Sequence, residues 1–258
     1  MAAHGEAVAE EVAGRARHHR RATRSPWLAR ARAIDAGARR VSVRLAVFDC
    51  DGTLVDGQGA VCEAMETAFA EAGLPTPDRH DIRQIVGLSL PMALRHLVPD
   101  APAEQRAHAV EAYKTAFRSA REAGQVSEPL YPGIADLLRE LKADGWALAV
   151  ATGKSDRGLR ACVATHGLTD LFDSLQAADF HPSKPAPEML LAALDECLAE
   201  PANSVMIGDT IYDIEMAAAA GVRSIGVGWG YHPPDTLLSA GAVGVANTAA
   251  ELRTMIDG

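Results

Sequence analysis

Asp49-Cys50-Asp51-Gly52-Thr53 places two carboxylates two residues apart directly after the apolar run Leu45 to Phe48. Alternate side chains of an extended chain face the same side, so both acids can reach one crevice while the glycine lets the backbone turn away. Two acids so placed form a candidate site for a ligand bound in that crevice. By residue frequencies, such a D-x-D-G-T match arises by chance in roughly a few chains in a thousand of this length. Three further features stand beside other strand ends. Thr152 follows Trp146 to Ala151 and opens Thr-Gly-Lys-Ser, where its hydroxyl and the N–H groups from Gly153 onward can hold anionic oxygens. Lys184 stands in Ser-Lys-Pro-Ala-Pro-Glu, and only four of the twenty-five basic residues are lysines, which favours a role for a compact ammonium. Asp209 and Asp213 lie in Gly-Asp-Thr-Ile-Tyr-Asp after Val205 to Ile207. Each feature also has a structural reading by itself: a surface turn, an exposed lysine, or an N-cap with an acid compensating a helix dipole.

The elements that must hold these residues follow from hydropathy. From Val41 onward, short apolar or β-branched runs alternate with helical periods, which predicts an α/β fold with a doubly wound parallel sheet covered on both faces. Strands are expected at Arg44 to Phe48, Trp146 to Ala151, near Leu175, at Ser204 to Ile207, at Arg223 to Val227 and near Ala242 to Val245. Helices are expected from Pro132 to Asp144, from Pro185 to about Glu200 and from Thr210 to Ala220. Residues 57–127 interrupt this alternation. Ala64, Ala68 and Phe69, then Ile82, Ile85 and Val86, then Leu94 and Leu97, then Val110, Tyr113 and Phe117 recur at helical spacings, so this stretch is expected to form a small helical cap. The catalytic core then comprises residues 41–56 and 128–258, with hinges at Gly57 to Gly59 and at Ser127 to Pro132. Cys50, between the two acids, should point into the core.

Charge is distributed unevenly. Residues 1–40 carry nine arginines against four acids, whereas the remainder carries sixteen basic residues against thirty acids. The acidic body disfavours nucleic acid, and the basic extension lacks interleaved aromatics. With no periodic apolar face, that extension is expected to be poorly ordered; a targeting arm is the other reading. The apolar runs are far shorter than the roughly 18 residues that suit a membrane span. The four cysteines form no CxxC or Cys/His zinc pattern, so reduced thiols and a cytoplasmic protein are expected, without a membrane partner and as a monomer or homodimer.

With these motifs in order, the chain resembles the haloacid dehalogenase superfamily of hydrolases from about residue 44 to 245. The stretches SKPAPEM and GDTIYDIEMAAAAG, and a helical cap after the first motif, resemble its phosphoglycolate phosphatase-like branch. The resemblance implies an Mg²⁺-dependent phosphatase acting on a small phosphorylated substrate, phosphoglycolate-like or a sugar phosphate. Asp49 would be the nucleophile and Asp51 the acid and base; Mg²⁺ would rest on Asp49, the Asp51 carbonyl and Asp209, steadied by Asp213. Thr152, Lys184 and the N–H groups near Gly52 and Gly153 would hold the phosphoryl oxygens, and Ser89 would meet the substrate from the cap. Asp51 argues against carbon–halogen cleavage. Val86 to Pro91 resembles the substrate-facing cap loop but carries no charge, which ranks a phosphosugar mutase below a phosphatase. A phosphatase-like binding protein without catalysis is the alternative outside enzymes.

Overall fold

The computed structural model describes residues 42–258; the expectation for residues 1–40 lies outside them. Six parallel strands form one sheet in the order β3-β2-β1-β4-β5-β6: β1 Val43–Phe48, β2 Ala147–Thr152, β3 Ser174–Ala177, β4 Ala199–Gly208, β5 Arg223–Val227 and β6 Val245–Ala246. Helices cover both faces, as continuously apolar strands require. β1 lies at the centre, bonded to β2 on one side and β4 on the other, so its C-terminal end opens where a doubly wound sheet binds ligands.

Four helices follow β1: α1 Gln58–Glu71, α2 Arg79–Gln84, α3 Leu90–Leu97 and α4 Ala103–Glu122. They bury an apolar cluster of their own, including Met65, Phe69, Ile82, Leu94 and Val110. The chain enters and leaves this insertion along one path. Asp56 N–H donates to the Pro129 carbonyl at 2.9 Å, Tyr131 N–H donates to the Leu54 carbonyl at 3.0 Å, and Val55 bridges Leu130 in antiparallel fashion. The main core forms around the sheet. In α5, Ile134–Ala143, Ile134, Leu137, Leu138 and Leu141 are buried at the spacing of a single helix face. Cys50 joins that core, its sulfur 3.9 Å from that of Cys162 in α6, Asp156–Thr165.

The helix expected from Pro185 to about Glu200 is shorter, α7 Glu188–Cys197, and β4 starts before Ser204. Leu198 adopts a left-handed conformation (φ 55°), which stops the helix. Ala199 then pairs at once with Val43, and an irregularity delays regular pairing until Ser204 meets Leu45. Three helices complete the chain: α8 Ile211–Ala219, α9 Pro234–Ala240 and α10 Ala249–Asp257. Among the described residues, no helix is long and apolar enough to cross a membrane.

Candidate active site

The ends of three adjacent strands supply the site. Asp49 directly follows β1, Thr152 ends β2 and Asp209 directly follows β4, and all three are buried. Lys184, in a cis peptide bond with Pro185, comes from the loop before α7 and is also fully buried. Its Nζ donates to Asp49 Oδ1 at 2.7 Å and to Asp213 Oδ1 at 2.6 Å. Burial opposes its charge, but Asp213 and Asp49 outweigh burial and raise its pKa. The other Asp213 oxygen accepts from the N–H of Thr210 at 3.0 Å and from its hydroxyl at 2.8 Å, so Asp213 is bonded on both oxygens. Asp209 accepts from the Thr53 hydroxyl at 2.8 Å and from Tyr231 N–H at 2.9 Å. Asp49 keeps Oδ2 buried without a hydrogen-bond partner.

Asp51 points elsewhere. Lys154 Nζ lies 2.9 Å from Asp51 Oδ1, in an ionic contact outside hydrogen-bond geometry, and 2.8 Å from Glu128 Oε1. Arg121, in the last turn of α4, holds the second oxygen of Glu128 at 2.7 Å. Burial would raise the Glu128 pKa, but Lys154 and Arg121 lower it below the usual range. Gly52 has φ +88°, and a Cβ there would fall 2.2 Å from Asp209 Oδ2 and 2.4 Å from the Tyr231 ring, so only glycine fits this turn.

The insertion closes over these groups. A Cβ on Gly153 would lie 2.5 Å from the carbonyl oxygens of both Gly87 and Leu88. Ser89, half-buried, donates its N–H to the Ser183 hydroxyl at 2.8 Å, which brings its loop to the residue beside Lys184. Tyr212 donates its hydroxyl to the Gln84 carbonyl at 3.2 Å. His232 accepts from Ile211 N–H through Nδ1 at 3.2 Å, which leaves Nε2 to donate to the Gln84 carbonyl at 3.1 Å.

Asp49, Asp209 and Asp213 each bring a carboxylate oxygen within 4.8 Å of one another. Burial, reinforced by Asp213 and Asp51 and opposed by Lys184, raises Asp49 to about 7; burial and the two neighbouring acids raise Asp209 as well. Asp49, Asp51, Asp209 and Asp213 outnumber Lys154 and Lys184 by two charges. An oxygen-only donor set with that excess of negative charge suits a hard divalent cation such as Mg²⁺.

Asp49, Lys184, Asp209 and Asp213 thus meet in one cluster, with Asp51 bound to Lys154 beside it. Lys154 and Glu128 were not singled out from sequence. The scarcity of lysine that drew attention to Lys184 applies equally to Lys154, whereas nothing in the sequence marks Glu128. Gly228 to His232 was also missed: Trp229 Nε1 donates to the Thr53 carbonyl at 3.2 Å, and Tyr231 braces Asp209.

The haloacid dehalogenase-like hydrolase family matches residues 46–227. The chain is 37% identical over 211 residues to probable phosphatase IndB of Dickeya dadantii, covering 81% of this chain and 91% of that one. It is 34% identical over 215 residues to tyrosine-protein kinase PtkA of Mycobacterium tuberculosis, covering 82% and 72%. A predicted phosphatase from Clostridium acetobutylicum shares the fold with a TM-score of 0.75 at 26% identity, covering 83% of this chain and 99% of that one. Phosphoglycolate phosphatases and an N-acetylmuramic acid 6-phosphate phosphatase are further relatives.

Proposed function

Because the chain belongs to the haloacid dehalogenase-like hydrolase family, we propose that it is an Mg²⁺-dependent phosphatase that hydrolyses a small phosphomonoester, phosphoglycolate-like or a sugar phosphate, through an aspartyl-phosphate. The observation that carries this reading is Asp49 Oδ2, buried and unpartnered while Lys184 fixes Oδ1. An anion held in this way is oriented for attack and has no hydrogen bond to break first.

Asp49 Oδ2 forms the new bond to phosphorus as the bond to the leaving oxygen breaks, and Asp51 gives that oxygen a proton. Asp51 then takes a proton from water as the water attacks phosphorus, which releases phosphate and restores Asp49. Lys184, the Thr152 hydroxyl and the N–H groups near Gly52 and Gly153 hold the equatorial oxygens, while Ser89 borders the leaving group. Asp49, the Asp51 carbonyl and Asp209 would hold Mg²⁺, with Asp213 supporting Lys184; the bound cation would offset the negative charge of the phosphoryl group. Residues 57–127 act as a cap on a core formed by residues 41–56 and 128–258. The protein acts in the cytoplasm as a monomer or homodimer, without nucleic-acid or membrane partners. A mutase would need a positive charge in the cap loop to draw the intermediate back, and residues 86–91 carry none.

Rapid quench with a labelled phosphoester tests the assignment. Wild type should trap label on protein, Asp49→Asn should trap none, and Asp51→Asn should slow turnover by about 10² or more, most for poor leaving groups. Label on Asp49→Asn, or full turnover in EDTA, would overturn it.

A further inference from the structure

Two buried carboxylates share the ammonium of Lys154, and they share it unequally. Lys154 Nζ donates a hydrogen bond to Glu128 Oε1 at 2.8 Å. Asp51 Oδ1, at 2.9 Å, lies outside bonding geometry and, although buried, has no hydrogen-bond partner among the described residues. The side chains of Lys154, Asp51 and Glu128 are only 8%, 11% and 6% exposed, so solvent screens these contacts little. Both acids face the entry to the insertion: a Cβ on Gly57 would lie 3.0 Å from Asp51 Oδ1 and 3.6 Å from Glu128 Oε1. Glu128 is the better fixed of the two. Arg121 donates to its second oxygen at 2.7 Å, and its carbonyl is hydrogen-bonded to His166 Nε2 at 2.8 Å. Phe117, one turn before Arg121 in α4, has the Arg121 guanidinium 5.4 Å and the Lys154 ammonium 5.5 Å from its ring centre.

Asp51 lies outside the cluster formed by Asp49, Asp209 and Asp213, and a proton donor has to come within about 3 Å of the oxygen it serves. It therefore has to turn toward Asp49 to reach a leaving oxygen there. That turn would leave Lys154 charged in a buried recess, which is costly when no partner remains. Glu128 removes this obstacle, because it already holds the hydrogen bond and Arg121 keeps it in place. Without the Glu128 charge, Asp51 would be the one carboxylate left in contact with Lys154 among the described residues, and it would be retained there. Arg121 and Phe117 both stand on α4, so this counter-ion is set by the return of the insertion to the core.

Building on the phosphatase reading, we propose that Glu128 is a positioning residue for proton transfer: by neutralising Lys154 it releases Asp51 toward the leaving oxygen. The test is rapid-quench formation of phosphoenzyme by the full chain with Mg²⁺. It compares labelled nitrophenyl phosphate, whose leaving group needs little proton donation, with the fastest alkyl ester among labelled glycerol phosphate, glucose phosphate and phosphoglycolate. Glu128→Gln preserves shape and should lower the alkyl-to-nitrophenyl rate ratio about tenfold, a part of the roughly 10²-fold or more that proton transfer supplies. Arg121→Gln loosens Glu128 without removing its charge and should lower the same ratio about threefold. Adding Lys154→Met to Glu128→Gln removes the cation that retains Asp51 and should recover most of the ratio, whereas in Asp51→Asn the Glu128 change should add nothing. A purely structural role would slow both esters equally. A ratio unchanged in Glu128→Gln and Arg121→Gln, or a loss that persists in the double variant, overturns this inference and leaves the phosphatase reading intact. No label trapped on wild type from any ester overturns both.

Discussion

Stability in the absence of metal should fall as pH rises, because Asp49 is buried with a pKa of about 7 against an ordinary value of 3.8. The folded state therefore holds a proton more tightly than the unfolded chain. The stabilisation this provides is complete below the unfolded pKa and is lost as pH rises through the folded one, across a window from about pH 4 to about pH 7. Roughly three pKa units correspond to about 4 kcal/mol. For a domain of this size that is about 8–16 °C in Tm. Asp209 shifts in the same direction and adds to the slope, whereas Glu128 shifts in the opposite one. A cation resting on Asp49 and Asp209 stabilises their ionised forms and cancels the loss, and it leaves Glu128, held by Lys154 and Arg121, untouched. Differential scanning calorimetry in Mg²⁺ and in EDTA therefore isolates the effect. The difference in Tm between the two should be near zero at about pH 4.5 and should reach the magnitude above by about pH 8. A difference equal at both pH values, or one that persists in Asp49→Asn, would refute the reasoning.

Lys184→Met leaves Asp49 and Asp213 buried without their shared cation, which should cost about 3–5 kcal/mol in chemical denaturation, with part of the loss recovered by adding Asp213→Asn. Gly153→Ala sets a methyl group against the carbonyls of Gly87 and Leu88, so amide hydrogen exchange in residues 86–90 should accelerate while β2 keeps its protection. Ser183→Ala removes the acceptor of Ser89 N–H, and the loss of about 1 kcal/mol from closure should raise KM several-fold with little change in kcat.

Much of this architecture was legible because strand ends combine two independent signals, an apolar run and a polar residue at its edge. Asp49, Thr152 and Asp209 each carry both, and the sheet places them side by side. Lys184 stood out through the rarity of lysine. The start of β4 was hidden because Ala199 to Asn203 lacks an apolar run, and its early pairing depends on Leu198 halting the helix. The contacts of Glu128 with Lys154 and with Arg121 depend on how the insertion folds back over the core. No local pattern encodes that closure.

The central position of β1 also sets an order of assembly during synthesis. Asp49 precedes its partner Lys184 by 135 residues in the chain, and Thr53 waits 156 residues for Asp209. Of the six helices made between Asp49 and Lys184, the first four make apolar contacts mostly with one another. The insertion can therefore gather its own cluster while the acidic strand end beneath it still lacks both neighbours in the sheet. Contacts spanning such separations carry a large loop-closure cost and form late. Tyr231 arrives after β5 and is shared by the insertion's apolar cluster and by Asp209. The buried carboxylates are thus enclosed only after the loop following β5 has been made, when the lysines that neutralise them are already in place.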